Sequence, residues 1–304
     1  MDAIGFGALN LDKIIYVDKI PKPDEECGIK SIQTFPGGSA ANTVAGLAKL
    51  GLKTGYIGKV GSDAEGTSLI ESMIYHGVDI KNIKVCEGKS GVCIALVDEN
   101  GNRALLVDPG VNDSISMDDI NIDHVAKAKF LHLTSFICKE SRRSFETQKR
   151  LAKKLAGMGV KITFDPGQLY AEKGIDELRE IIENSYAILP SENEIKLITG
   201  LDYRQGAELL LSEGAKVVAV KRGRKGCFVS DGKNEFDIPA YKTDVADTTG
   251  AGDAFDAGFL YGLINNKNLK DCGRLGNKVA SFCIRKSGAR PGLPNLEELK
   301  RAIL

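Results

Sequence analysis

Neither sign of charge is in excess, since 41 Lys and Arg face 41 Asp and Glu among 304 residues. A chain so balanced has no general electrostatic grip on nucleic acid or on an anionic membrane, although it can still hold one phosphate in a local pocket. Long apolar runs are missing too, so no segment approaches a membrane span. The start, Met1-Asp2-Ala3-Ile4, lacks the basic region and apolar stretch of a secretory signal. The seven cysteines (Cys27, Cys86, Cys93, Cys138, Cys227, Cys272 and Cys283) never form a C-x-x-C pair. That scatter argues against zinc and redox sites and for reduced thiols in a cytoplasmic protein. No G-x-x-x-x-G-K-[ST] run occurs, which excludes a P-loop, and Gly5-Phe6-Gly7-Ala8-Leu9-Asn10 lacks the third glycine of the dinucleotide fingerprint.

What is present is an alternation of short apolar runs and helical patterns. Strand-like runs fall at Ala3–Leu9, Lys53–Val60, Phe130–Thr134, Lys161–Asp165, Ala187–Leu189 and Lys216–Lys221. Helix-like segments separate them at Ala40–Leu50, Glu65–His76, Ser141–Ala156 and Arg204–Ser212, and the last third is mostly helical, over Ala251–Ile264 and Leu269–Lys286. This rhythm predicts βαβ units, hence a mostly parallel sheet with helices on both faces. Two regions break it. Gly28–Phe35 and Gly91–Val107 read as strands joined by turns, with Asp98-Glu99-Asn100-Gly101 as a hairpin signal. With no linker, repeat or low-complexity tract, the expectation is one domain over residues 1–304 with a small β lid from about 12–35 and 90–108. A plain edge extension of the sheet is the alternative.

The chemistry concentrates in Asp247-Thr248-Thr249-Gly250-Ala251-Gly252-Asp253-Ala254-Phe255. Gly250 and Gly252 open a helix and, without Cβ atoms, let a ligand approach the backbone. The unpaired N–H groups of the first turn and the positive end of the helix dipole then make an anion hole, which the small Ala251 keeps open. Asp253, in that turn, lies where a carboxylate can position an attacking hydroxyl and take its proton. On its own, a G-x-G-D helix start reads more simply as an aspartate capping the dipole.

The run D-T-T-G-A-G-D-A-F-D-A-G-F, Asp247–Phe259, resembles the second signature of the ribokinase-like, or PfkB, family of carbohydrate kinases. Gly37-Gly38-Ser39-Ala40-Ala41-Asn42 through Leu50-Gly51 is similar to the first, and the match extends from Gly7 to Pro294. The resemblance implies a ribokinase-like α/β fold and an ATP-dependent phosphotransferase with Asp253 as base and Gly250, Ala251 and Gly252 as its anion hole. It implies Asn10 and Asp12 as holders of substrate hydroxyls, with Gly37, Gly38 and Asn42 as the second wall of the substrate pocket. Arg103, in its hairpin, looks like the corresponding residue of the sugar kinases. Lys221, Gly223 and Gly226, in V-V-A-V-K-R-G-R-K-G, resemble the loop beside the nucleotide, although Lys221–Lys225 alone reads equally as a solvated basic turn. Asn277 matches a position lining the base pocket.

In one place the chain departs from the family. The family's N-x-x-E is here Ser191-Glu192-Asn193-Glu194, so serine replaces asparagine. Glu194 remains, able to act on Mg2+ through water, and Ser191 with Glu194 also spells a capping box. Asp247 and Thr249, with the loop Gly288-Ala289-Arg290-Pro291-Gly292, resemble the monovalent-cation loop of some members, which implies K+. The acceptor is expected to be a sugar phosphorylated at a primary hydroxyl. The form G-G-S-A-A-N is also similar to adenosine and broad nucleoside kinases, so a nucleoside is the alternative, and it needs an apolar or aromatic shelf beside the ribose. A silent sugar-binding regulator is the reading from another class, and the intact Asp253 speaks against it. The resemblance leaves room for a homodimer through the lid and implies no nucleic acid or membrane partner.

Overall fold

A computed structural model describes residues 1–138 and 141–303. Within them, the strands in chain order are β1 (Ala3–Phe6), β2 (Asn10–Val17), β3 (Ile29–Pro36), β4 (Thr54–Gly61), β5 (Asp79–Cys86), β6 (Gly91–Val97), β7 (Arg103–Asp108), β8 (Phe130–Thr134), β9 (Lys161–Asp165), β10 (Ser185–Ile188), β11 (Val217–Lys221), β12 (Cys227–Ser230) and β13 (Glu235–Ile238). Nine of them form the main sheet, in the order β13-β12-β11-β10-β9-β8-β1-β4-β5. Its pairs are parallel from β5 to β11, and β12 and β13 add an antiparallel hairpin at one edge. The chain builds outward from β1 to β4 and β5, then returns to lay β8 on the other side of β1. That reversal creates a crevice at the carboxyl ends of β1 and β8, where open α/β sheets bind ligands.

The other four strands make a separate small sheet, β3-β2-β6-β7. Its central pair, β2 and β6, is parallel, while β2–β3 and β6–β7 are antiparallel. The expected strand Ala3–Leu9 is cut short at Phe6. It leaves the main sheet at Phe6, because Gly7 passes so close to Thr134 that a Cβ would lie 2.2 Å from its Oγ1. The buried Tyr56 hydroxyl then donates to the Gly7 and Ala8 carbonyls at 2.9 and 3.0 Å, and the chain enters the small sheet at Asn10.

Local chemistry explains the helices that matter for function. The helix Ala251–Ile264 is apolar on nearly every side and is buried from Ala254 through Leu260, as expected for a helix enclosed by others. It packs against the helices Ser39–Lys49 and Leu269–Cys283. Small residues set those distances. A Cβ on Gly46 would come within 2.9 Å of the Ala257 Cβ, and one on Gly258 within 2.4 Å of the Leu275 carbonyl oxygen. Among the described residues no helix is long and apolar enough to cross a membrane.

The Gly46–Ala257 contact makes the helix pair sensitive to volume. Gly46→Val is expected to lower stability by about 1–3 kcal/mol, the usual cost of overpacking. A urea unfolding midpoint equal to that of the parent would show slack between the helices.

Candidate active site

Gly250 precedes the helix Ala251–Ile264 with φ of 74°, and a Cβ there would sit 2.4 Å from that of Ala289. Only glycine suits both the left-handed backbone and the close approach. Asp253 follows in the first turn. Its Oδ2 accepts from Asn42 Nδ2 at 2.7 Å, and its carbonyl accepts from the Thr43 hydroxyl at 3.3 Å. The first helix of the sequence thus grips the helix that carries the candidate base. Burial pushes the Asp253 carboxyl up to about 6, against the Asn42 amide, which favours the anion. A base near neutral pH is what proton transfer at a hydroxyl requires.

Asn42 is itself aimed. Its Oδ1 accepts from Arg290 Nε at 2.8 Å, which leaves its Nδ2 for Asp253. The same guanidinium donates to Ser72 Oγ at 2.9 Å and to the Gly37 carbonyl at 3.1 Å. Arg290 is only 5% exposed. Burial pulls it down to about 10 while Tyr56, Asp12 and Asp253 hold it up, so it remains a cation at neutral pH. Asp12 shares that cation. Burial pushes Asp12 up to about 7, with Arg290 opposing and Asp253 reinforcing the rise. Gly37 lies directly against Asp12, since a Cβ there would be 2.1 Å from its Oδ2, and Gly38 lies with φ of 98° against the Ala8 carbonyl.

Asn10 turns its Oδ1 toward the buried Asn112, whose Nδ2 donates at 2.8 Å, while Asn112 Oδ1 accepts from the Leu9 amide at 3.0 Å. The Asn10 side-chain oxygen is thereby fixed, and its nitrogen is not part of that bond. Beyond Asp12 opens a cavity of about 710 Å³ between the small sheet and the loops Val245–Thr249 and Ser287–Ala289. Alternate residues of the small sheet form its wall: Asp12, Ile14 and Tyr16 on β2, Cys93, Ala95 and Val97 on β6, and Arg103 and Leu105 on β7. This is the side-chain period of a strand with one face turned inward.

On the other side of the glycine turn lies a buried charge cluster. Lys221, at the end of β11, donates to Asp165 Oδ2 at 2.9 Å and to Asp256 Oδ1 at 3.3 Å. Its Nζ is 3.6 Å from where a Cβ on Gly252 would stand. Burial opposes the ammonium, but Asp165, Asp256 and Glu194 outweigh it and raise its pKa. Asp165 is likewise buried, yet held low chiefly by Lys221. Buried His132 is pushed down to about 4 and is neutral. The solvated-turn reading of Lys221 therefore fails, while exposed Lys225 fits it and pairs with Glu192.

The remaining expected residues are distributed around these groups. Ser191 and Glu194 form the reciprocal capping box, with Ser191 N donating to Glu194 Oε2 at 2.7 Å and Glu194 N donating to Ser191 Oγ at 3.2 Å. Burial, and then Asp165, raise the Glu194 pKa. Asp247 accepts from the amides of Thr249 and Gly288 at 2.9 and 2.8 Å, so its carboxylate ties two loops. The Thr249 and Ala289 carbonyls both face the Cys283 thiol, at 3.7 and 3.3 Å. Asn277 lies outside the cavity and donates to the Ile238 and Pro239 carbonyls. Gly226, with φ of 90°, packs against the same Ile238 carbonyl, and Gly223 has φ of 54°. Among the described residues no three His, Cys, Asp or Glu side chains are grouped to hold a metal ion.

The glycine-opened helix, the carboxylate aimed into its first turn and the ligand crevice above the sheet agree with the outcome of sequence comparison. Residues 3–296 match the family model described as pfkB family carbohydrate kinase. The chain belongs to the pfkB family of carbohydrate kinases. An uncharacterized sugar kinase of Archaeoglobus fulgidus is 47% identical over 249 residues, covering 82% of this kinase and 98% of that protein. An ATP-dependent ribose-1-phosphate kinase of Halopiger xanaduensis is 29% identical over 93% of this kinase and 92% of its own length. A ribokinase of Arabidopsis thaliana, solved with ribose and ATP, superposes with a TM-score of 0.85 at 26% identity, covering 99% of this kinase and 97% of that chain. The kinase is thus a phosphotransferase acting on an alcohol group, and its ribokinase-like fold is the one expected.

Sequence reasoning passed over Asn112, Asp165, Asp256 and the role of Arg290. Asp256 was visible three residues after Asp253, but nothing local paired it with Lys221. Lys221→Met would leave Asp165 and Asp256 buried without their cation. The expected cost is about 3–5 kcal/mol, as for a buried ion pair that loses one member. Chemical denaturation of the variant measures it, and an unchanged midpoint would mean that water solvates these carboxylates.

Proposed function

We propose that this kinase transfers the γ-phosphate of ATP to a primary hydroxyl of a sugar, with Asp253 as the general base. The observation that carries this reading is the Asp253 carboxylate in the first turn of a glycine-opened helix, held by Asn42 and raised to about 6. Asp253 accepts the proton of the acceptor hydroxyl as its oxygen bonds to the γ-phosphorus. The bond from that phosphorus to the β-phosphate bridging oxygen breaks, and ADP leaves. The amides behind Gly250, Ala251 and Gly252 and the Lys221 ammonium stabilise the charge on the transferred group. Asn10 and Asp12 hold the acceptor's hydroxyls from one side, with Gly37 and Gly38 allowing close backbone approach. Asn42 then acts mainly by aiming Asp253. Gly226 packs the nucleotide loop against the end of β13, where Asn277 also donates, and Gly223 supplies its left-handed turn.

Magnesium fits as an ion brought by the nucleotide. One oxygen of Glu194 is engaged in the cap, so this carboxylate suits a water-mediated contact better than a direct cage. When bound, the ion neutralises phosphate charge. Asp247 serves in this reading as a brace between loops, and a monovalent cation such as K+ would rely on carbonyls around Thr249. The small sheet acts as a lid that excludes water from the transfer. Exposed Ile29, Ile32 and Leu106 on it offer a surface to a second copy. The free state of all seven cysteines suits a cytoplasmic setting. A nucleoside acceptor is the second reading, favoured by the shelf of Ile14, Tyr16, Phe35 and Leu105 along the cavity.

Asp253→Asn is expected to fold normally and to lower kcat by about 10²–10⁴-fold, the usual worth of a positioned base. Assay with ATP, magnesium and a panel of sugars and nucleosides tests it. Near-parental turnover by the folded variant would remove Asp253 from the mechanism.

The pH profile makes a separate demand. Both carboxylates lie above the ordinary range, Asp12 at about 7 and Asp253 at about 6, and both work as anions. kcat/KM should therefore be level above pH 7 and fall as pH drops through 7 and then 6, in two steps that belong to the pair. Asn42→Ala removes a donor that favours the Asp253 anion and should move the lower step upward. A profile flat down to pH 5 would contradict the assignment.

A further inference from the structure

The cluster around Lys221 holds more carboxyl groups than one cation can balance. Asp165 stands at the end of β9, Asp256 in the helix Ala251–Ile264 and Glu194 in the helix Glu192–Thr199, and all three act on the Lys221 ammonium. Asp256 is wholly buried and Asp165 is 6% exposed. Besides Lys221 on β11, the titratable groups that face Asp256 are Asp165, His132 on β8, and Asp253 one turn earlier on its own helix. His132 is neutral and supplies no second cation. A buried charge without a partner is so costly that the group takes up a proton instead.

The hydrogen bonds say which group does so. Asp165 receives two donors, Lys221 Nζ at 2.9 Å on Oδ2 and the Gly167 amide at 3.2 Å on Oδ1. Asp256 receives the same ammonium at longer range, 3.3 Å on Oδ1 and 3.5 Å on Oδ2. The two carboxyl groups also hydrogen-bond to each other. Ionised carboxylates are acceptors alone, so that bond exists only with a proton on one of them. Asp165, with its two donors, is the anion, and the proton is on Asp256. His132 agrees. Its Nδ1 lies 3.1 Å from Thr163 Oγ1, which itself donates to the Leu131 carbonyl at 3.5 Å, so the ring proton is on Nδ1. The buried Nε2 is left as an acceptor 3.9 Å from Asp256 Oδ2, without a hydrogen-bond partner among the described residues. An acceptor in that place suits a carboxylic acid and opposes a carboxylate.

We propose that Asp256 is a positioning residue that works as a carboxylic acid, sharing its proton with Asp165 while its Oδ1 accepts from Lys221. An ammonium has three donors. Asp165 and Asp256 engage two of them, and the third remains for the space beside Gly252, whose Cβ would stand 3.6 Å from Nζ. A second carboxylate charge at this depth would repel the phosphate that the glycine turn is shaped to receive. Asp256 thus tethers the lysine a second time without adding negative charge. For its consequence in turnover, this inference rests on the kinase reading above.

Asp256→Asn and Asp256→Leu test the proposal, since asparagine keeps a neutral hydrogen-bonding group of the same shape and leucine keeps only the volume. Leucine should lower kcat by about 10–100-fold, the range for a hydrogen bond to a charged group, with little change in the KM for the acceptor. Asparagine should recover most of that loss. Equal losses in the two variants would make Asp256 an anion, and no loss in either would deny it a hold on Lys221. Each of those results overturns the proposal. The pH profile adds a readout that packing alone would not move. Asp253 and Asp256 sense each other's charge, so removing an anion would carry the step assigned to Asp253, at about 6, to lower pH. Exchange of one neutral group for another leaves that step in place in Asp256→Asn. Infrared difference spectra of the parent against Asp256→Asn, at neutral pH and without substrates, do not depend on turnover and so separate this inference from the kinase reading. The parent should show a protonated-carboxyl C=O band that the variant lacks. Without that band Asp256 is ionised and the proposal fails, whether or not the leucine variant folds.

Discussion

A single buried guanidinium joins the parts of the molecule that must meet for chemistry. Arg290, from the loop before the last helix, reaches the Gly37 carbonyl and the Asn42 side chain, and Asn42 reaches Asp253. Three distant stretches of chain are thereby locked in one hydrogen-bonded line. A buried cation is costly unless its donors are used and a negative charge lies nearby. Here the donors meet neutral acceptors, and the charge is balanced at slightly longer range by Asp12 and Asp253. The guanidinium thus permits two raised carboxylates to share a small, dry volume.

A second cation repeats the logic on the other side of the glycine turn. Lys221 gathers Asp165 and Asp256 and stands beside Gly252. The glycine turn therefore lies between two buried cations, each anchored by carboxylates or amides from other elements. Such a field is fixed before any ligand arrives, so little reorganisation is needed when phosphate charge develops. The main sheet makes this possible by delivering Asp165, Glu194 and Lys221 at or just beyond the carboxyl ends of β9, β10 and β11.

How much of this could be read in the chain depends on whether the determining contacts are local. The helix Ala251–Ile264 and its glycine start were legible because sequence neighbours decide a helix entry, and Phe130–Thr134 and Lys161–Asp165 emerge with the expected bounds. The capping box of Ser191 and Glu194 is a three-residue pattern and was equally plain. Pairing between distant strands was not. The parallel match of β2 with β6 leaves no local trace, and the Asp231-Gly232 turn that marks the hairpin of β12 and β13 does not say which edge of the sheet receives it. Nor could Arg290 announce its role, since Asn42 lies 248 residues away. Lys221 read equally as part of the nucleotide loop and as a solvated turn residue, because its burial is the work of Asp165 and Asp256, on other elements. Asn42, expected on the substrate, has its amide committed to Asp253, a contact set by how closely Gly46 and Ala257 let two helices approach.

The inward face of the small sheet has a consequence for how such an enzyme changes. None of its cavity-lining side chains, from Asp12 and Tyr16 to Val97 and Arg103, belongs to the apolar clusters that hold the main body together. Strand geometry turns every second residue toward the ligand and leaves the intervening ones to the opposite face. In the reading proposed above, drift at the inward positions rewrites the choice of acceptor while the phosphoryl-transfer apparatus, built on other elements, is inherited intact. Selection can act on appetite and on chemistry as separate traits.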